Sequence, residues 1–304
     1  MARWERAKRV AWVVRVLVPL ALVALAVRFA GQLDLAAIGR AIRHAEPLAV
    51  TLAAALNLPL VWAKATRARL LLAPTLPFGT RRLMGWFLAS YAADNLVMSQ
   101  AGLALRIGLI QREGVPLAIA VSEQALEKLL EGAGLLALAS LAPLSGALPS
   151  WLTRSRASLA WVGAAFIVVA LAVVASTRPW GWLGRVARAA VALRKPAGAA
   201  AVLLLTALAW ALELWMVAAV LGALALPVTL ATSLLVVVAC NLAALVPGLP
   251  ANMGTFEAAA VVALVAQGVA AGPALGFALL YHALHTVPVT LLGLPSLRRS
   301  WKAE

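Results

Sequence analysis

Apolar residues run through this chain in stretches of membrane length, punctuated by short polar or Pro/Gly-rich clusters. A run of about 18 apolar residues or more spans a hydrocarbon core of roughly 30 Å as a helix. The pattern predicts helix A over about 11–30, helix B over about 47–64 with Asn57 and Pro59 inside it, and helix C over about 117–142. Helix D follows over about 158–176, helix E over about 198–221 and helix F over about 273–294. Two further apolar stretches are broken in the middle. The stretch at about 82–113 is interrupted by Ser99–Gly102, and that at about 230–268 by Pro247–Gly254.

Basic residues fix how these elements alternate across a membrane. The N-terminus, the loop after helix B (Lys64, Arg67, Arg69, Arg81, Arg82), the D–E loop and the C-terminus together carry seventeen Lys and Arg. The A–B loop (Arg28, Arg40, Arg43) and the C–D loop (Arg154, Arg156) carry five. Positive charge collects on the cytoplasmic side, so the rich set is expected inside and the poor set outside. The chain is then inside near 82 and outside near 144, with both the first broken stretch and helix C in between. The surplus crossing disappears if each broken stretch enters and returns as a re-entrant hairpin. The fold expected is an all-α polytopic membrane protein with about six full transmembrane helices and two re-entrant hairpins, forming one domain over 1–304. Each half crosses three times, so the second half (158–294) is inverted relative to the first (11–142). A faint echo supports the repeat. Gly114-Val115 and Gly268-Val269 follow the two hairpins, and Glu127 and Tyr281 stand thirteen residues after each glycine.

Composition agrees with this reading. The chain is 64% hydrophobic with mean hydropathy +0.95, where a soluble domain is nearer half apolar. The net charge of +15 is expected to meet anionic lipid headgroups rather than nucleic acid. The first apolar run is too long for the core of a cleavable signal peptide. The single cysteine, Cys240, allows no intrachain disulfide, and no Cys/His cluster of zinc type occurs.

Seven of the eleven acidic residues nevertheless fall in the apolar stretches: Asp94, Glu113, Glu123, Glu127, Glu131, Glu213 and Glu257. Charge at mid-bilayer costs a few kcal/mol, so such residues face an interior or a wet path. Glu123, Glu127 and Glu131 are spaced to share one face of helix C, with Lys128 placed to pair with Glu131. Glu123 reads as the end of that face at the interface, while Glu127 and Lys128 lie deeper. Arg106 and Arg112 are the other candidate cations. Glu213 needs a partner from elsewhere in the fold. His282 and His285 share a face of helix F with Tyr281; they read either as hydrogen-bonded packing groups or as a proton relay and headgroup contact. Around the second break, Thr255 or Asn252 caps a helix whose first turn holds Glu257, which suits the helix dipole. A helix that starts at mid-depth points free N–H groups at the centre, a natural anion site. Pro247 and Pro250 stop the incoming helix, and Gly248 and Gly254 permit close backbone approach. The candidate lipid path is therefore Asp94, Asn95, Gln100, Arg106, Glu127, Lys128, Glu213, Asn252, Gly254, Glu257, Tyr281, His282 and His285.

The stretches "PGLPANMGTFEAAAVVAL" and "GVAAGPALGFALLYHALHTVPVTLLGL" resemble the C-terminal signature of the lysylphosphatidylglycerol synthase transmembrane-region family, also called flippase-like membrane proteins. Its P-G-x-x-G-x-x-E pattern is matched by Pro247, Gly248, Gly254 and Glu257, with a longer spacer here. Its first-half pattern is matched by Gly102, Arg106, Gly114-Val115 and Glu127-Lys128, the last with Lys where the family has Arg. Lys is a point charge without a bidentate fork, so the departure weakens phosphate clamping at that position. The resemblance covers nearly the whole chain and implies a role in lipid translocation or lipid-linked sugar metabolism. Larger members carry an aminoacyl-transferase domain after the membrane region. This sequence runs ten residues past helix F, so lysyl transfer is not expected of it.

Three function classes remain. The first is a lipid translocase of the cytoplasmic membrane of a bacterium or archaeon, with both termini cytoplasmic and anionic or phosphate-bearing headgroups as ligands. The second, an enzyme on lipid-linked sugars, is disfavoured: the only aspartates are Asp34 and Asp94, and neither G-x-S-x-G nor H-E-x-x-H occurs. No cofactor or metal is expected. The third is a non-transporting scaffold for a lipid-synthesis enzyme. The protein partners left open are a second copy of the chain or such an enzyme.

Overall fold

In the computed structural model, the described residues are 35–72, 78–141, 193, 195–244 and 250–302, and among them every regular element is helical. They form α1 (Leu35–Arg43), α2 (Pro47–Ala55), α3 (Asn57–Leu72), α4 (Thr80–Leu96), α5 (Ala101–Arg112), α6 (Leu117–Leu141), α7 (Pro196–Ala223), α8 (Leu230–Ala243), a 3₁₀ turn (Pro250–Asn252), α9 (Thr255–Val265) and α10 (Ala271–Lys302). Three stretches are long and apolar enough to cross a membrane: Pro47–Leu72, Pro196–Ala223 and Ala271–Ser300. Helices A and D and the residues Pro247 and Gly248 lie outside the described residues.

Helix B is longer than its hydropathy predicts. It continues through Lys64 and Arg67 to Leu72, with a break at Leu56 between α2 and α3. Asn57 spans that break. Its Nδ2 donates to Ala54 O and, at the same 2.9 Å, to Leu284 O on α10. That second acceptor is available because Pro288, four residues on, has no N–H to give it. One asparagine thus ties the break in helix B to the carbonyl that Pro288 leaves free on α10. Helix F likewise runs beyond its predicted end, as α10, to Lys302.

The two broken stretches are helix–turn–helix units. In the first, α4 and α5 run antiparallel. Arg82 meets Glu113 at the open end, and the Asp94 carboxylate accepts the Gly102 N–H at 2.7 Å near the tip. Gly102 is required for this approach: a Cβ there would collide with the Ser90 carbonyl. The same holds where α10 crosses α4, since a Cβ on Gly293 would run into Leu88 O. Gly102→Ala or Gly293→Ala is expected to force the helices apart and cost roughly 1–3 kcal/mol. Thermal unfolding in detergent reads this as a lower midpoint; unchanged midpoints would contradict the packing. In the second unit, α8 and α9 pack together, with Cys240 buried and its Sγ 3.8 Å from Phe256 O.

Both units end in the same backbone device. Gly114 and Gly268 each have φ of 83°, and each N–H bonds back three residues, to Gln111 O and Val265 O. The valine that follows is buried in both cases, and a long helix begins two residues later. Interactions also sort the element ends. Glu46 N donates to Ala223 O at 2.9 Å, tying the start of α2 to the end of α7. Arg112 Nη1 donates to Ser300 O at 2.7 Å, tying the base of the first hairpin to the end of α10.

Candidate functional site

The tips of the two units meet. Ser99 Oγ donates to Asn252 Oδ1 at 2.9 Å, and α4 packs on the 3₁₀ turn. The backbone there is left-handed at Gln100 (φ 77°), Ala251 (φ 56°), Asn252 (φ 56°) and Gly254 (φ 84°). These conformations turn the chain within a few residues, so that α5 and α9 both begin in the interior. Their first N–H groups are claimed by carboxylates. Asp94 holds Gly102 N, and Glu257 Oε2 accepts Gly254 N at 2.7 Å. Thr255 Oγ1 instead donates to Asn252 O at 2.8 Å, so the carboxylate, not the threonine, caps α9.

Beside the tips lies a cavity of about 240 Å³, walled by α3, α4, α5, α6, α7, α8 and α10. Of the thirteen candidate path residues, Asp94, Asn95, Gln100, Arg106, Lys128, Glu213, Asn252, Tyr281, His282 and His285 line it. Glu127, Gly254 and Glu257 do not, and each stands directly behind the wall. Glu127 Oε2 is 2.7 Å from Arg106 Nη2, Glu257 Oε1 is 2.5 Å from His282 Nδ1, and Gly254 is held by Glu257. Phe256 of α9, which also lines the cavity, packs at a tilt against the His282 ring, with centroids 4.7 Å apart. Asn95 Nδ2 reaches Thr290 Oγ1 at 2.8 Å, which ties α4 to α10 along the cavity's edge.

Charge is arranged in a continuous cluster along one wall. Lys64 lies between Glu213 (3.6 Å) and Glu131 (3.7 Å). Lys128 pairs with Glu131 at 3.0 Å, as the three-residue spacing predicts. Arg67 reaches both Glu131 (3.2 Å) and Glu127 (3.4 Å) and donates to Thr206 Oγ1 at 3.3 Å. Arg106 holds Glu127 and donates through Nε to Gln124 Oε1 at 2.9 Å, with its guanidinium 4.1 Å over the Phe87 ring. Glu213 finds its partners in Lys64 and Asn241 Nδ2 (3.2 Å). A smaller cavity of about 40 Å³ adjoins this wall, bounded by Lys64, Arg67, Glu131, Glu213 and Asn241. Among the described residues, no three His, Cys, Asp or Glu converge as a metal site.

Two assignments change. Lys64 and Arg67, read as loop charges, are helical residues within the cluster: Lys64 is half-buried and Arg67 only 1% exposed. They contribute nothing to the loop charge count, which remains lopsided toward the same side. Glu123, read as an interfacial end, is 1% exposed and interior. The available signal for the lysine and arginine was arithmetic: buried carboxylates on helices C and E need cations, and Arg106 and Lys128 are too few to serve them all.

The family model described as the lysylphosphatidylglycerol synthase TM region matches residues 12–293. The chain belongs to this family. Membership and the three membrane-length helices together make it a membrane protein, of a family tied to lipid synthesis or translocation. No curated protein matches the chain. The family match takes in every residue of the cavity wall, from Asn57 to Val289.

Proposed function

We propose that this protein is a lipid translocase that moves a phospholipid or lipid-linked headgroup across the cytoplasmic membrane, through the cavity at the hairpin tips. The observation that carries the reading is a cavity rich in both signs of charge inside a membrane protein. Sites of that kind are costly in hydrocarbon and are kept where polar cargo passes. At about 240 Å³ the space suits a headgroup, while acyl chains remain in the bilayer. A phosphate competes with Glu127 for Arg106 and with Glu131 for Lys128, since charge-assisted bonds of the same type are exchanged. Asp94 and Glu213 face a headgroup amine where one is present, and the Glu257–His282 pair sets the position of the α9 tip.

The architecture proposed is two inverted halves, each with one re-entrant hairpin, 11–142 and 158–294. It is supported by the matching turns at Gly114 and Gly268, by the tip-to-tip contact, and by element ends that sort into two groups. Irregular backbone at depth is tolerated because it lines a wet cavity. Both termini are cytoplasmic, and the chain carries no catalytic activity of its own. Single cysteines at 44 and 228 are expected to react with an impermeant reagent from outside, and those at 81 and 195 only from inside. Outside labelling at 81 would overturn this orientation.

Translocation is tested with the purified chain in liposomes holding a fluorescent phospholipid in both leaflets. Faster loss of the protected inner-leaflet signal than in protein-free vesicles is expected. A rate equal to the protein-free control would favour the scaffold reading instead.

A further inference from the structure

One carboxylate of the wall cluster has no cation. Glu123 is 1% exposed, and no Lys, Arg or His lies within ion-pair distance of it among the described residues. Its Oε2 accepts from Gln124 Nε2 at 2.5 Å, while Oε1 is buried with no hydrogen-bond partner. Gln124 Oε1 is taken by Arg106, so the amide separates the guanidinium from Glu123. The neighbouring carboxylate one turn on, Glu127, is held by two arginines.

Counting charge makes this asymmetry meaningful. The linked cluster has four cations, Lys64, Arg67, Arg106 and Lys128, and four carboxylates, Glu123, Glu127, Glu131 and Glu213. Asp94 and Glu257 form no ion pair with these four cations: Asp94 takes the Gly102 N–H and Glu257 lies against His282. With all eight ionised the cluster is neutral, but Glu123 is then a buried charge lacking both a cation and half its hydrogen bonds, which is the costly case. With a proton on Glu123 the cluster holds one surplus positive charge. A monoanionic phosphate in the adjoining cavity cancels it.

We infer that Glu123 is a proton-binding site coupled to the headgroup cavity, so that a proton and an anionic phosphate headgroup bind together. This rests on the proposed headgroup site and adds a coupling ion to it. The step is a simple association: a proton from water bonds to Glu123 Oε1, and one phosphate negative charge enters beside Arg106 and Lys128. By linkage each favours the other by the same factor. The charged groups that act on Glu123 are Glu127 from its own helix, Arg106 from α5 and Arg67 from α3. α7 brings Glu213, which is engaged by Lys64, and α8 brings Cys240 and no charged group.

The test uses the full chain in detergent, with soluble short-chain phosphatidylglycerol as probe and the phosphatidylcholine analogue as control. Because the proton and the headgroup bind together, phosphatidylglycerol binding is expected to weaken by about tenfold between pH 6 and pH 9. Glu123→Gln is neutral at both pH values and is expected to bind strongly at both, a retained rather than a lost affinity. His282 and His285 stay in place in that variant, so they cannot account for the difference. Equal wild-type affinities at the two pH values, or the wild-type pH dependence persisting in Glu123→Gln, would overturn the coupling and leave the headgroup site standing. A separate infrared measurement in vesicles looks for a carboxylic-acid carbonyl band at pH 6 that Glu123→Gln removes. The band present without phosphatidylglycerol binding at any pH would refute the headgroup site and keep the proton site; absence of a band change would refute the proton site. Should Glu123→Gln fail to fold, a band in the wild type that vanishes between pH 6 and 9 supports the inference, and a pH-invariant spectrum overturns it.

Discussion

Arg67→Met lowers the thermal midpoint of the purified protein by on the order of 10 °C, the largest stability change expected of any single wall residue. Arg67 is almost fully buried and serves Glu127, Glu131 and Thr206 at once. Methionine fills much of the same volume, so the effect is not one of packing. It arises because two carboxylates lose a shared cation in a place where water cannot replace it; breaking one partner of a buried pair typically costs about 3–5 kcal/mol. Each acid keeps another cation, Glu127 Arg106 and Glu131 Lys64 and Lys128, but with its acids ionised the cluster is left one negative charge in excess, so neutralising one acid restores stability. The double variant Arg67→Met/Glu127→Gln is expected to recover at least half of the lost midpoint. A single variant that melts with the wild type would mean the cluster is solvated and its charges independent. Failure of the double variant to recover would place the cost in packing instead.

Glu257→Gln is expected to abolish at least nine-tenths of lipid movement while leaving protein level nearly unchanged and lowering the melting midpoint by only several degrees. The glutamine carbonyl still accepts the Gly254 N–H, so the α9 cap survives, and the dipole contribution lost is about 0.3–1 kcal/mol. What disappears is the charge facing His282 Nδ1 at 2.5 Å. Hydrogen bonds to charged groups are worth about 1.5–3 kcal/mol, enough to shift the position of a ring in the cavity wall by roughly tenfold or more in population. Wild-type transport by this variant would reduce Glu257 to a helix cap.

Much of this arrangement was legible in the sequence because it is local. The spacing of Glu127 and Lys128 to Glu131 is a property of one helix, and the break at Ser99–Gly102 is written in small and polar residues between apolar runs. Carboxylates in membrane-length stretches announce an interior path by cost alone. The parts that were not legible depend on residues far apart in the chain. Lys64 and Arg67 look like the basic flank that ends a transmembrane helix, because nothing nearby marks them as buried. Only acids from α6 and α7 make that burial affordable. Glu123 sits near the start of its helix and reads as interfacial until α3 and α5 are seen to pack against that helix. The Ser99–Asn252 contact joins positions 153 residues apart, and the Asn57–Leu284 bond exists only because Pro288 frees a carbonyl on a different helix.

The measurement that bears most directly on the account is a reversible lock across the hairpin tips. Ser99 and Asn252 touch in the structure, so cysteines at both positions are within reach of a short, reducible bis-thiol cross-linker, and buried Cys240 stays out of the reaction. In liposomes with fluorescent phospholipid, Ser99→Cys/Asn252→Cys is expected to move lipid when reduced, to stop when bridged, and to resume when reduced again. Lipid movement at the wild-type rate with the bridge fully formed would contradict passage between the tips.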